Sequence, residues 1–270
     1  YNNVPYYRQL FDSLDLSSND IQTAEDLGKL TILTKEDIRA NFDGLKATDF
    51  NKHKPILNTT SGSTGEPFKY YITKDIASIS WAGVFRGWGW ARYKPGDKRV
   101  TLAGAALIPN AQPSPKQWLR DKAERNLKLS AFDMNERAMT HYTRRMTAYR
   151  PKFLRGYASA LYQFASYLES YDINNIRPLA VFSTAEVLFS HQRETIERQF
   201  GCKVFDQYGC YDGGPQAMEC PEHCGLHIST EKAIMEFVDP NRVIEKVKET
   251  TRFWHSVSTR SSITLQLVTG

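Results

Sequence analysis

Strands and helices alternate along residues 99–208, and this order constrains the fold more than any other feature of the chain. Short apolar runs at 99–102, 127–132, 153–157, 179–182 and 202–208 have the length and composition of strands. Segments with helical spacing lie at 135–149, 159–170 and 191–200, between successive strands. The alternation predicts an α/β fold whose mostly parallel sheet is flanked by helices.

The residues that precede this alternation have a different pattern. Residues 1–50 predict short helices, because Thr23 and Thr34 each precede an acid by three residues, as in a capping box. Residues 55–72 predict a strand, a loop and a second strand, and residues 75–93 a helix. We therefore expect an N-terminal helical segment at 1–50, an α/β core at 51–240 and an unassigned tail at 241–270.

Composition narrows the class of protein. The chain has 270 residues, of which 41% are hydrophobic and 24% charged, as in ordinary globular proteins. The net charge of +5 comes from dispersed Lys and Arg, which favours small anionic ligands and argues against a nucleic-acid partner. No window is apolar enough to predict a membrane partner. Four cysteines without a disulfide pattern favour a reducing, cytoplasmic setting, and the sequence leaves a homodimer open.

The segment at residues 58–67 has a composition suited to holding phosphate. It is rich in hydroxyls and contains Gly62 and Gly65, which let backbone amides approach an anion. The plain alternative is a polar surface turn. A Walker A loop is excluded because Gly65 is followed by Glu66 and Pro67 instead of a lysine. Its position between two predicted strands makes this loop the tip of a hairpin.

The order of residues in this loop, Thr-Ser-Gly-Ser-Thr-Gly-x-Pro at 60–67, resembles the phosphate loop of the adenylate-forming superfamily. Within that superfamily the chain is most similar to the phenylacetate–coenzyme A ligase branch and its capsule-biosynthesis relatives. Residues 4–8 and 30–38 resemble the N-terminal helices of this branch. Residues 206–212 resemble its Tyr-Gly-x-x-Glu motif, and 219–228 the segment that follows.

The resemblance implies the large N-terminal domain of an acid–thiol ligase. Such an enzyme uses ATP and Mg²⁺ to convert a carboxylic acid to an acyl-AMP, and then transfers the acyl group to a thiol, typically coenzyme A. The family's C-terminal lid domain, with its catalytic lysine, has no counterpart in this sequence. We therefore expect a truncated form that binds nucleotide better than it turns over. The alternative is a non-catalytic nucleotide- and zinc-binding module of the same fold.

The resemblance also assigns roles to individual residues. The catalytic residues would be Thr64 and Asp212, and Asp212, which would hold magnesium, is one methylene shorter than the family's glutamate. Tyr208 would stack on adenine, and Tyr157 would lie near the acyl group. A turn residue at Asp212 and a core tyrosine at 157 are the structural alternatives. The full predicted nucleotide site comprises Thr60, Ser61, Gly62, Ser63, Thr64, Gly65, Lys69, Ala185, Glu186, Asp206, Tyr208, Gly209 and Asp212.

A second group of residues has the spacing of a zinc site. Cys220, His223 and Cys224 are as close in sequence as the ligands of a zinc knuckle, and thiolates with an imidazole select zinc over magnesium. Cys210 is the favoured fourth ligand and His227 its rival. Four reduced cysteines, partly in the core, are the alternative. We predict a structural zinc ion that pins the loop beside Tyr208.

Overall fold

The computed structural model describes residues 1–59, 68–104, 115–132, 134–209 and 214–235, and the backbone of 238–239 and 242–243. The chain divides into two compact units. The first unit comprises Tyr1–Trp81, Cys210–Gln216 and Ile228–Gly270, and the second comprises Ala82–Gly209 and Ala217–His227. The predicted boundaries at residues 50 and 240 stay a prediction.

The helices and strands of the described residues follow the chain in a simple order. The helices are α1 (Pro5–Ser13), α2 (Lys35–Ala40), α3 (Lys74–Trp90), α4 (Pro115–Ala123), α5 (Glu136–Tyr149), α6 (Ala158–Ser170) and α7 (Ser190–Phe200). The strands are β1 (Ile56–Thr59), β2 (Lys69–Ile72), β3 (Arg99–Ala103), β4 (Asn126–Ser130), β5 (Phe153–Tyr157), β6 (Ala180–Thr184), β7 (Lys203–Gly209), β8 (Gln216–Glu219), β9 (Leu226–Ile228), β10 (Val238–Asp239) and β11 (Arg242–Val243).

The first unit begins with short helices, as predicted. Both capping boxes form: the Asp26 carboxylate accepts the backbone N–H of Thr23, and the Asp37 carboxylate accepts that of Thr34. β1 and β2 then pair antiparallel, with Thr59 opposite Lys69. The residues between these two partners therefore connect the strands of a hairpin.

The second unit is built on a seven-stranded sheet in the order β4-β3-β5-β6-β7-β8-β9. β3 to β7 pair in parallel, which confirms the predicted α/β class. The chain adds β4 on one side of β3 and then adds β5, β6 and β7 in turn on the other side. The direction of growth thus reverses between β3 and β5. In open α/β sheets, the crevice at such a reversal is a preferred place for ligands.

Helices cover this sheet on both faces, which explains why most residues of its central strands, β3, β5 and β6, are buried. On one face, α5, α6 and α7 pack over a core that includes Val181 and Val204. On the other face, Trp88 of α3 stacks on Phe182, with ring centroids 4.9 Å apart. α3 is the helix predicted at residues 75–93. A Cβ added at Gly87 would lie 1.9 Å from the Met218 sulfur, so α3 approaches β8 closely.

The structure adds elements that the sequence did not indicate. α4 begins at Pro115, and proline suits the first turn of a helix because it lacks the N–H that is unbonded there. β8 and β9 extend the sheet through a region in which no strand was predicted. No helix in the described part of the chain has the length and apolarity needed to cross a bilayer.

Candidate functional site

The carboxyl ends of three neighbouring parallel strands bring several predicted site residues to one edge of the sheet. Tyr157 of β5 is in register with Thr184 of β6, and Thr184 is in register with Gln207 of β7. Ala185 and Glu186 follow β6, while Tyr208 and Gly209 end β7. This edge is where open α/β sheets bind ligands. The parallel topology therefore assembles residues that are up to 52 positions apart in sequence.

The loop after β6 has a constrained backbone. Ala185 is left-handed, with φ of 68°, a conformation that costs energy for any residue other than glycine. The next residue, Glu186, points its carboxylate at α6, where Oε2 accepts the backbone N–H of Ser159 at 2.8 Å. A carboxylate at a helix N-terminus satisfies an amide that has no partner within the helix. Glu186 thus ties the loop after β6 to the start of α6, which follows β5 directly.

Asp206 is held by hydrogen bonds to two other strands. Its side chain is buried, and Oδ1 accepts the Ser183 hydroxyl at 2.6 Å across the β6–β7 pair. Its backbone N–H donates to Oε2 of Glu219 at 2.9 Å. The structure gives Asp206 a role in holding β7 in place, and half-buried Tyr208 follows two residues later, near the edge of the sheet. Sequence reasoning did not identify Ser183 or Glu219 as its partners.

The reversal between β3 and β5 carries aromatic side chains. A Cβ added at Gly104, directly after β3, would lie 2.9 Å from Phe132 Cζ and 3.1 Å from Tyr157 Cε2. Tyr157 also packs against the core, so the core alternative holds for part of its ring. Phe132 is 70% exposed, unusual for so large an apolar side chain. Sequence reasoning placed Phe132 at the end of a strand and missed this site; an apolar residue just past a parallel strand was the available signal.

The predicted phosphate loop and magnesium ligand lie outside the described residues. This applies to Thr60, Ser61, Gly62, Ser63, Thr64 and Gly65, and to Asp212. Lys69 is described: it is exposed and pairs with Thr59 at the base of the hairpin that carries the loop. The two strands expected from the sequence are therefore present, one before the loop and one after it.

The predicted zinc ligands are described in part. Cys220, His223 and Cys224 lie in the turn between β8 and β9, and Cys210 is outside the described residues. Among the described side chains, no three His, Cys, Asp or Glu residues converge as a metal site would require. His223 Nδ1 lies 3.3 Å from Glu219 Oε2. The ring of the rival ligand, His227, lies beside Trp90, with centroids 5.2 Å apart. The zinc site stays a prediction.

The chain is similar in sequence to known proteins. It is 29% identical to protein CapK from Staphylococcus aureus over 230 residues, which cover 82% of this chain and 49% of CapK. It is 28% identical to phenylacetate–coenzyme A ligase from Pseudomonas putida over 250 residues, which cover 89% of this chain and 54% of that enzyme. The chain thus spans about half the length of these relatives. No protein-family profile matches it.

Solved structures share the fold. A 2-hydroxyisobutyryl-CoA ligase, in an open conformation with 2-HIB-AMP and CoA, superposes with a TM-score of 0.67 at 17% identity, over 92% of this chain and 59% of that one. The same ligase in its thioesterification state gives a TM-score of 0.65 at 18% identity, over 92% and 54%. The predicted resemblance to the adenylate-forming, phenylacetate–coenzyme A ligase-like family is confirmed.

Proposed function

We propose that this chain, a relative of the adenylate-forming ligases in their phenylacetate–coenzyme A ligase-like branch, is the nucleotide-binding part of an enzyme that activates a carboxylic acid. The carboxylate would attack the α-phosphorus of ATP, forming acyl-AMP and releasing pyrophosphate. A thiol, taken to be that of coenzyme A, would then displace AMP and form the thioester. The enzyme would thus be an AMP-forming acid–thiol ligase.

The observation that carries this proposal is the shared edge of β5, β6 and β7. Its register puts Tyr157, Ala185, Glu186 and Tyr208 at the carboxyl ends of adjacent parallel strands. A flat ring at Tyr208 suits stacking on a purine. The left-handed turn at Ala185 and the Glu186–Ser159 hydrogen bond fix the neighbouring backbone before any ligand arrives. Such fixed geometry lowers the entropic cost of binding and alignment.

Phosphate binding would fall to the hairpin between β1 and β2. The amides and hydroxyls of residues 60–65 would hold the β- and γ-phosphates, with Thr64 closest to the reaction and Lys69 assisting from the base of the hairpin. The charge on phosphate makes such hydrogen bonds about twice as strong as neutral ones. Magnesium would neutralise part of the triphosphate charge, and Asp212 is its proposed ligand.

The acyl group would lie at the reversal between β3 and β5. Phe132 and Tyr157 both approach the position that a Cβ of Gly104 would take, and Phe132 is exposed. An exposed aromatic surface beside a nucleotide site suits an apolar acyl group, because contact with it removes apolar area from water. We propose that Phe132 contacts the acyl group of the substrate.

Three further statements belong to the proposal. A structural zinc ion would be held by Cys210, Cys220, His223 and Cys224, and well under one zinc per chain in metal analysis of the purified protein would refute it. The setting would be cytoplasmic, in keeping with thiols kept reduced. A homodimer stays a proposal, to be tested by the mass of the protein in solution.

Pyrophosphate release across a panel of carboxylic acids tests the function directly. The whole enzyme to which this chain is proposed to belong is incubated with ATP, Mg²⁺ and one acid at a time, and pyrophosphate is measured with and without coenzyme A. We expect release that depends on the acid, strongest for apolar or aromatic acids. Phe132→Ala should raise KM for the preferred acid more than KM for ATP. Nucleotide binding without release for any acid would favour a non-catalytic module.

A further inference from the structure

Glu219 at the end of β8 is a buried carboxylate that none of the proposed chemistry uses. Its side chain is 6% exposed. Both of its oxygens accept hydrogen bonds from Nη2 of Arg193 on α7, each at 3.0 Å. A buried charge is costly unless it is paired and hydrogen-bonded. Arg193 supplies the opposite charge, because its guanidinium is always protonated. Its own side chain is 22% exposed.

The same ion pair holds the backbone of β7 at two points. Arg193 Nη1 donates to the carbonyl oxygen of Val204 at 2.8 Å, and Glu219 Oε2 accepts the N–H of Asp206 at 2.9 Å. Main-chain groups two residues apart in a strand face the same side, so both bonds act on one edge of β7. The Ser183 hydroxyl holds the Asp206 side chain from β6. β7 is thus fixed from both sides just before Tyr208.

The carboxylate also lies beside the turn that follows β8. His223 Nδ1 is 3.3 Å from Glu219 Oε2, and the His223 ring lies beside that of Phe205 in β7, with centroids 4.8 Å apart. Glu219 is therefore shared by α7, β7 and the turn between β8 and β9. A side chain shared in this way fixes the relative position of three elements.

We propose that the Arg193–Glu219 ion pair is a positioning device for nucleotide binding, which holds the end of β7 so that Tyr208 and Gly209 are in place for the purine. This inference rests on the proposed function, because it takes the end of β7 as the nucleotide site. A displacement of about 1 Å at such a site can lower its activity by about a hundredfold. The ion pair thus keeps the residues at the edge of the sheet in position.

The same helix offers a matched control. Arg198 of α7 makes a two-point ion pair with Glu169 of α6, with Nε–Oε1 and Nη2–Oε2 distances of 2.8 and 3.1 Å. Both of its side chains are exposed, at 58% and 43%. The two pairs have the same chemistry, but only the Arg193–Glu219 pair contacts the backbone of β7.

The experiment compares Glu219→Gln and Arg193→Gln with Glu169→Gln and Arg198→Gln in the 270-residue chain. Calorimetry gives the dissociation constant for AMP, which probes the purine end of the site without the β- and γ-phosphates. We expect the first two variants to bind AMP about tenfold more weakly, and their double variant no more weakly than either alone. The control variants should stay within about twofold. Arg193→Lys should recover part of the affinity, since it restores the charge.

Hydrogen exchange of residues 203–209 keeps the inference testable without a ligand. We expect Glu219→Gln to speed exchange at this strand about tenfold, and Glu169→Gln to leave it unchanged. A folded Glu219→Gln variant with unaltered exchange and unaltered AMP affinity would overturn the inference. So would a lower unfolding midpoint in urea with unaltered affinity, which indicates a merely structural pair. If the unsubstituted chain does not bind AMP, the proposed function fails, and unaltered exchange in Glu219→Gln then separately decides against the Arg193–Glu219 pair as a positioning device.

Discussion

Cys202 shows how the position of a residue in the fold decides its chemistry. It lies just before β7 and packs against the core that α5, α6 and α7 cover. Burial, aided by the nearby charge of Glu197, raises the pKa of its thiol to about 12. At pH 8 the reactive thiolate is then on the order of one molecule in ten thousand. Cys220 and Cys224 lie instead in a half-buried turn.

We therefore predict that alkylation discriminates among these thiols. At pH 8, iodoacetamide should modify Cys220 and Cys224 well before Cys202, as followed by peptide mass spectrometry, because only the thiolate reacts. In denaturant all three should react alike. Modification of Cys202 in the folded protein as fast as of Cys220 would contradict the burial that raises its pKa. Protection of Cys220 and Cys224 by added zinc would support the zinc proposal.

Glu186 shows what a single sequence does not reveal at this scale. The resemblance assigned it to the nucleotide pocket, which stays a prediction, but did not indicate that its carboxylate accepts the backbone N–H of Ser159, 27 residues away. The pairing of Asp206 with Ser183 and Glu219 is equally non-local. Such contacts depend on the register of neighbouring strands, and no spacing within one segment predicts them.

Among the elements, α2 illustrates a feature that the sequence did predict. Thr34 Oγ1 accepts the N–H of Asp37 at 3.1 Å, and the Asp37 carboxylate accepts the Thr34 N–H at 2.9 Å. The Thr34 hydroxyl, followed by its backbone N–H, lowers the pKa of the Asp37 carboxyl below its ordinary value. The partners are three residues apart, which is why local sequence sufficed.

Thr34→Ala should remove the largest cause of this shift. We expect the pKa of Asp37 to rise towards its ordinary value of about 3.9, and the protein to lose about 1 kcal/mol of stability at neutral pH. Because the folded pKa is lowered, the stabilisation by Asp37 is present above about pH 4 and is lost as the pH falls through the folded pKa. Carboxyl NMR titration measures the pKa of Asp37 in the unsubstituted protein and in Thr34→Ala. Thr23→Ala, at the other capping box, should leave the Asp37 titration unchanged; an unaltered Asp37 pKa in Thr34→Ala would contradict the hydrogen bond.

The packing of α3 against the sheet gives a prediction with a built-in control. Gly87 has no space for a Cβ because of Met218, whereas a Cβ at Gly89 meets nothing within 4 Å. Gly87→Ala should lower the free energy of unfolding by about 1–3 kcal/mol through overpacking. Gly89→Ala should raise it by up to about 1 kcal/mol, since alanine favours a helix. Urea unfolding measures both, and equal effects at the two positions would contradict the close approach of α3 to β8.

For the molecule as a whole, the sequence predicted the class of fold but not every strand of its sheet. The strands β3 to β7 and the helices α5 to α7 could be predicted, because each of these strands contains a short apolar run and the apolar residues of each of these helices recur with helical spacing. β8 and β9 could not, since Gln216–Glu219 and Leu226–Ile228 are too short and too mixed in polarity to stand out. The reversal between β3 and β5, which brings Phe132 to Tyr157, appears only once the strands are ordered in space.

Mg²⁺-dependent binding of ATP by the 270-residue chain tests the central claim most directly. Calorimetric titration should show saturable binding at one site per chain. Asp212→Ala should weaken it about tenfold or more in the presence of Mg²⁺, and much less in its absence, because the carboxylate acts through the cation. Absence of ATP binding by the folded, unsubstituted chain, or identical affinity in Asp212→Ala, would contradict the account.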